Sequence, residues 1–285
     1  MRPVLALASA TVDEALRGAS RPFLKIAGLV GPTAQACAEA DLALELGYHV
    51  GLLSMSALRH ACDAEMLAHV ATVAARIPVM GFYLQPAVGG RVLGYDFWQR
   101  MVEIDNVVAI KIAPFNRYHT LDVVRAVTTA GRTQEIALYT GNDDNILVDL
   151  VTDFALDGAE NPPLHIVGGL LGQWAVWTHR AVEMLNQIQG ERAAGAINYA
   201  HWLRVGAQLT DANAAIFDVA HDFQGCIPGI HRVLQQQGLM HSIHTLNPQE
   251  TLGAGQTEAI ARVGATYPHL TDDEFVAAHR AEWLD

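Results

Sequence analysis

Val107-Val108-Ala109-Ile110-Lys111-Ile112-Ala113-Pro114 is an apolar, β-type run with a single ammonium near its centre. Alternation puts Val107, Ala109, Lys111 and Ala113 on one face of the strand, and Val108, Ile110 and Ile112 on the other. The face with the larger residues suits packing against helices, and the face with the small ones leaves space around an amine. An ionised amine on a buried strand is costly unless it is paired or neutral. A neutral amine in a dry pocket is a nucleophile that forms imines with carbonyl compounds. Two readings of Lys111 therefore stand: a core lysine tied to a carboxylate or snorkelling to the rim, and a Schiff-base lysine.

Outward from this run, the chain alternates between β-rich and helical patterns. Strands are expected at 23–30, 49–55, 78–85, 107–113, 136–140 and 165–170. Helices are expected at 33–46, 63–76, 95–104, 121–130 and 146–154 between them. Such alternation implies a parallel sheet with helices outside it. Repeat units of roughly 25–30 residues favour a (β/α) barrel over an open doubly wound sheet. No G-x-G-x-x-G follows the first strand, so a dinucleotide-binding reading lacks support. After Trp174 the patterns turn helical, at 174–189, 192–209, 211–223, 228–238 and 272–283, with a loop over 246–255. The expected architecture is an α/β barrel of the (β/α)8 type over residues 1–205, followed by a helical extension over 206–285. Six strands are visible where closure takes eight. Residues 1–22 supply one helix, at 3–16, and no strand, so the barrel reads as N-terminally incomplete, either lacking two βα units or filling the gap through a partner.

Composition narrows the function classes. A formal net charge of −12 across 285 residues, with no basic tract, argues against nucleic acid as a partner. Cys37, Cys62 and Cys226 are scattered and suggest no disulfide framework or zinc knuckle, which makes a reducing cytoplasmic setting the default. No run reaches the roughly 20 apolar residues of a membrane span. There are 13 histidines, yet no H-E-x-x-H or similar ligand spacing, and neither a metal nor a cofactor is expected. The only other lysine, Lys25, lies early in its strand, away from the end where barrel active sites are built, and reads as structural.

Around Lys111, three strand ends offer candidate contacts. Tyr83 lies late in the preceding strand, where its phenol either relays protons to a carbinolamine or packs at the rim with its hydroxyl bonded. Gly168-Gly169 ends the sixth strand, and its backbone N–H groups can hold a carboxylate or phosphate. Thr140-Gly141-Asn142-Asp143-Asp144 ends the fifth strand. Substrate contact and helix capping are both open there, with capping the better reading for Asp143 or Asp144.

Taken together, Ile26-Ala27-Gly28, Tyr83-Leu84-Gln85-Pro86 and Ala109-Ile110-Lys111 resemble segments of the dihydrodipicolinate synthase/N-acetylneuraminate lyase superfamily of class I aldolases. The 28 residues between Tyr83 and Lys111 match that superfamily's spacing of its Y-x-x-P and I-K strands. Gly141 and Gly168 fall at its strand-end glycines. The resemblance implies an eight-stranded barrel with C-terminal helices, assembled as a dimer or tetramer. It further implies that Lys111 forms an imine with pyruvate or another 2-oxo acid, that Tyr83 shuttles protons, and that the backbone near Gly168 helps to hold the substrate. The implied activity is that of a lyase or synthase, making or breaking a carbon–carbon bond or acting as a hydro-lyase.

Three departures mark a divergent branch. The superfamily's Thr/Ser-rich loop after its second strand has no counterpart. Val88 stands two residues beyond Y-x-x-P, where dihydrodipicolinate synthase has arginine. The lysine strand runs on as Ile112-Ala113-Pro114-Phe115-Asn116-Arg117, so that Asn116 or Arg117 supplies contacts particular to this branch. The competing readings are a truncated barrel acting as a binding or structural subunit and a metal-dependent barrel aldolase.

Overall fold

The computed structural model describes residues 1–18, 22–156, 163–170 and 172–284. In chain order these form α1 (Arg2–Ala15), β1 (Ile26–Leu29), α2 (Thr33–Glu45), β2 (Val50–Leu53), α3 (Asp63–Ala74), β3 (Val79–Leu84), α4 (Tyr95–Met101), β4 (Val107–Ala113), α5 (Arg117–Thr129), β5 (Ala137–Thr140), α6 (Ile146–Val151), β6 (Ile166–Gly169), α7 (Thr178–Ala193), α8 (Tyr199–Ile216), α9 (Cys226–Gln236), α10 (Gln256–Thr266) and α11 (Asp273–Leu284). The strands form one sheet in the order β1-β2-β3-β4-β5-β6, and the pairs from β1 to β4 are parallel. This is the expected βα alternation, and β4 keeps its expected limits. No described helix is long and apolar enough to cross a membrane.

Two compact units make up the chain, residues 1–139 with 153–167 and residues 140–152 with 168–285. In the first unit the layer between strands and helices is built from Ala36, Ala40 and Ala43 of α2, Val70 and Val73 of α3, Trp98 and Met101 of α4, and Val123 and Val127 of α5, all buried. Gly81 is needed there, since a Cβ at that position would lie 2.4 Å from Met101 Cε. Helix α1 docks through polar ties to chain ends. Ser9 Oγ donates to Leu46 O at 2.7 Å, and Tyr48 Oη donates to Leu5 O at 3.1 Å. Lys25 is buried beneath α1, where its ammonium donates to Ser9 Oγ at 2.8 Å and pairs with Asp13. Its structural reading holds.

The second unit carries the helical tail, with limits that differ from those expected. The break expected between helices 192–209 and 211–223 falls inside the single helix α8, whose Val205, Leu209, Ala212 and Ile216 form one buried stripe. A boundary at 205/206 falls inside it. Helix α10 was not anticipated, since its sequence is weakly apolar and glycine-punctuated. It is locked by buried Gln256, whose amide donates to Ile216 O and Gly225 O at 3.0 Å each. Asp272 joins α7 and α9, accepting from His179 N at 3.1 Å and from Gln237 Nε2 at 3.0 Å.

Candidate active site

Register decides which side chains share a surface. The β3–β4 ladder pairs Met80 with Ala109, Gly81 with Ile110, Phe82 with Lys111, Tyr83 with Ile112 and Leu84 with Ala113, after a one-residue slip between Val79 and Met80. Ile110, Ile112 and Tyr83 are fully buried, and Gly81 abuts Met101 of α4, so that surface faces the helices. Phe82, Leu84, Ala109 and Lys111 are only partly buried and occupy the other surface. Lys111 therefore stands two residues from the C-terminal end of β4, between two alanines, on the side of the sheet away from the helices. Its Nζ lies 4.8 Å from the centre of the Phe82 ring, a cation–π approach.

Tyr83 is on the opposite surface from Lys111, which corrects the expected relay. Its hydroxyl donates to Leu93 O at 3.0 Å and accepts from Leu93 N at 3.2 Å, closing the loop between β3 and α4. Its ring packs on Trp98, centroids 4.9 Å apart, and on His119 at 6.0 Å. Burial raises its pKa above the usual phenol range. The side chain that β3 presents to Lys111 is that of Phe82, which carries no hydroxyl.

A different phenol shares the surface of Lys111. On β5, Leu138 and Thr140 are fully buried, with the partly buried Tyr139 between them. Alternation turns Tyr139 to the side away from the helices, one residue from the strand's C-terminal end. Burial raises its pKa as well. Sequence reasoning missed Tyr139, although the period-2 pattern Leu138-Tyr139-Thr140 carried the signal.

Beyond β4, Phe115 adopts φ 51°, a left-handed conformation that is uncommon for a residue with a bulky side chain. This turn reverses the chain tightly after the lysine strand. Asn116 is spent as the cap of α5, accepting from His119 N at 3.2 Å, and Arg117 opens that helix. At the ends of β2 and β3 a small cavity is lined by Ser54, Ser56, Arg59, Phe82, Leu84 and Arg91, among others. Ser54 and Ser56 share a hydroxyl–hydroxyl bond of 3.1 Å. The Arg91 guanidinium donates to Ala61 O at 2.7 Å and to Asp63 at 3.1 Å, tying the loop after β3 to the start of α3.

The second unit holds the remaining candidates. Gly141 is buried directly after β5, and Gly168 and Gly169 end β6. A Cβ at Gly169 would come within 3.0 Å of both Thr140 and Ile146, so close packing requires glycine there. The loop around Gly141 is organised by a residue that the sequence did not single out, the fully buried Asp149. Asp149 accepts from Thr140 Oγ1 at 2.5 Å, Asn142 Nδ2 at 2.9 Å and Asn145 Nδ2 at 3.3 Å. The N-cap of α6 is Asn145, in place of the expected Asp143 or Asp144. Among the described residues no cluster of three His, Cys, Asp or Glu side chains is placed to hold a metal.

No protein-family model matches the chain, and no curated protein sequence does so either. Solved structures do match. Dihydrodipicolinate synthase of Bacteroides thetaiotaomicron superposes with a TM-score of 0.67 at 13% identity, over 93% of this chain and 82% of that one. CdNal of Clostridium difficile, in complex with mannosamine, gives 0.69 at 15%, over 93% and 80%. The chloride-inhibited dihydrodipicolinate synthase of Acinetobacter baumannii, complexed with pyruvate, gives 0.68 at 16%, over 92% and 80%. With identities this low the likeness is one of fold, and the chain is an α/β protein with the fold of the dihydrodipicolinate synthases.

Proposed function

We propose that this chain is a Schiff-base-forming lyase or aldolase of the dihydrodipicolinate synthase superfamily, acting on pyruvate or another 2-oxo acid. The observation that carries the reading is the placement of Lys111: an amine near the C-terminal end of a central parallel strand, on the side away from the helices, beside an aromatic ring and flanked by alanines. Barrel active sites are built at that end of the strands, and the neighbour from Acinetobacter baumannii was solved with pyruvate.

In this reading the neutral Lys111 amine attacks the keto carbon, forming a C–N bond while the carbonyl electrons pass to oxygen. Two proton transfers from nitrogen to that oxygen expel it as water and leave the imine, which takes up one proton to become the iminium. The iminium then draws electrons from the adjacent carbon, so that a C–C bond is broken or, through the enamine, formed. The proton carrier assigned to this surface is the Tyr139 phenol, with Tyr83 left to packing. The six strands belong to an eight-stranded barrel short of two strand–helix units. The same reading makes the protein a cytoplasmic homo-oligomer working without a cofactor.

Incubation with pyruvate and borohydride followed by peptide mapping tests it. A reduced adduct on Lys111 is expected. A second reading, a catalytically incomplete barrel serving as a binding subunit, draws on Phe82 occupying the position that β3 presents to Lys111. No adduct with any of a panel of 2-oxo acids overturns the first reading in favour of the second.

A further inference from the structure

The surface of β3 and β4 that carries Lys111 borders a cavity with two arginines in its wall. This cavity, at the ends of β2 and β3, has a volume of about 10 Å³, room for roughly one water-sized group. Phe82 forms part of its lining, and the same ring stands 4.8 Å from Lys111 Nζ. The cavity therefore lies one aromatic ring away from the amine. Gly89 and Gly90 line another side. A Cβ at Gly90 would come within 1.8 Å of Leu84 O, so the loop after β3 is pressed onto the strand end with no side chain between them.

The two guanidinium groups differ in what they already hold. Arg91 donates to Ala61 O, to Met66 Sδ and to the Asp63 carboxylate, which fixes it in the wall and offsets its charge. Arg59 follows the single turn Ser56–Leu58 and is exposed. Its Nε donates to His60 Nε2 at 3.0 Å, and among the described residues no acidic side chain pairs with it. Its two Nη groups keep the planar fork of N–H bonds that matches a carboxylate. Ser54 Oγ donates to Ser56 Oγ at 3.1 Å and accepts from Ser56 N at 3.4 Å, which leaves the Ser56 hydroxyl proton for an occupant. In a chain of net charge −12, the rim of this cavity thus presents a cation with no acidic partner beside a hydroxyl donor.

A 2-oxo acid joined to Lys111 carries its first carboxylate on the imine carbon itself. That group is held next to the lysine nitrogen and cannot reach across the Phe82 ring. An anion in the cavity belongs further along the substrate, and the small space suits a carboxylate oxygen better than a phosphate. We propose that Arg59 and Ser56 bind a second, distal carboxylate, so that the preferred substrate is a 2-oxo diacid. The inference rests on the imine chemistry proposed for Lys111 and adds the substrate class to it.

The test compares 2-oxoglutarate with 2-oxopentanoate, which share a carbon count and differ only in a terminal carboxylate against a methyl group. Half-maximal borohydride trapping at Lys111 should need at least about tenfold less 2-oxoglutarate, in the range of one charge-assisted contact. Arg59→Gln should erase that preference, and because Arg59 is exposed the variant keeps its fold. Equal trapping of the two acids by the parent overturns the proposal, and so does a preference that survives in Arg59→Gln. A panel in which no 2-oxo acid is trapped overturns the imine reading instead. Calorimetry on Lys111→Met, which cannot form an imine, then decides the role of Arg59. There 2-oxoglutarate should bind at least about tenfold more tightly than 2-oxopentanoate, and lose that margin when Arg59→Gln is added. Equal binding of the two acids to Lys111→Met, or a margin that outlasts Arg59→Gln, overturns the proposal in that event.

Discussion

Lys111 and Tyr83 stand on opposite surfaces of the β3–β4 pair, because the ladder sets Phe82 beside Lys111 and Tyr83 beside Ile112. A phenol among the helices, with both capacities of its hydroxyl used on Leu93, is a packing and loop-closing group. Tyr139 occupies the surface that Tyr83 does not.

The two tyrosines should therefore respond differently to loss of a hydroxyl. Tyr83→Phe leaves the buried Leu93 N–H and C=O unpaired, and should cost about 1–3 kcal/mol in urea denaturation while imine trapping at Lys111 stays within about twofold. Tyr139→Phe should slow trapping at least about tenfold, within the range that a positioned proton carrier contributes, with stability little changed. The reverse pattern would return Tyr83 to the chemistry.

Lys111→Met keeps the length and apolar stem of the side chain and removes the amine. Borohydride trapping should be abolished and the unfolding free energy altered by less than about 1 kcal/mol, as for substitutions outside the tightly packed core. Adducts that persist in this variant would place the reactive amine elsewhere.

Asp149 holds three donors in a fully buried setting. Asp149→Ala should destabilise the protein by about 3 kcal/mol or more, because the donors of Thr140, Asn142 and Asn145 each lose a buried acceptor at about 1–3 kcal/mol apiece. Asp149→Asn keeps the volume but sets an amide donor against them, and should cost about 1–3 kcal/mol. Chemical denaturation of both variants checks the order. A shift smaller for alanine than for asparagine would show that the cluster does not organise the loop.

His69 predicts a pH dependence. Its ring is buried between α2 and α3, with Nδ1 2.9 Å from Thr33 Oγ1, and burial lowers its pKa from the usual histidine value. The unfolded chain then takes up a proton that the folded chain refuses. Stability should decline as pH falls below about 6.5, until the folded-state pKa is reached. Thermal denaturation from about pH 7.5 to about pH 5 should show a shallower slope in His69→Gln than in the parent. An unchanged slope would assign the proton uptake to other groups.

Much of the architecture was legible because hydrophobic period and chain direction are local properties. The limits of β4, the βα order and the structural role of Lys25 follow from alternation, strand length and position in the strand. The inward placement of Lys111 followed from the same parity argument, since the bulky Ile110 and Ile112 need the helix layer. The helical tail was less legible. Whether the helix breaks near residue 210 depends on which apolar residues a neighbouring helix covers, and α10 depends on Gln256 bonding to carbonyls 40 and 31 residues away.

Parity is defined only within a strand, and a one-residue slip between strands inverts which side chains meet. The sequence by itself determined that Lys111 lies on a strand face apart from Ile110 and Ile112, and that Tyr83 precedes it by 28 residues. Only the tertiary structure decided that Phe82, and not Tyr83, comes beside the amine. The slip between Val79 and Met80 is set by how two strands pack together, a relation between segments that neither segment encodes alone.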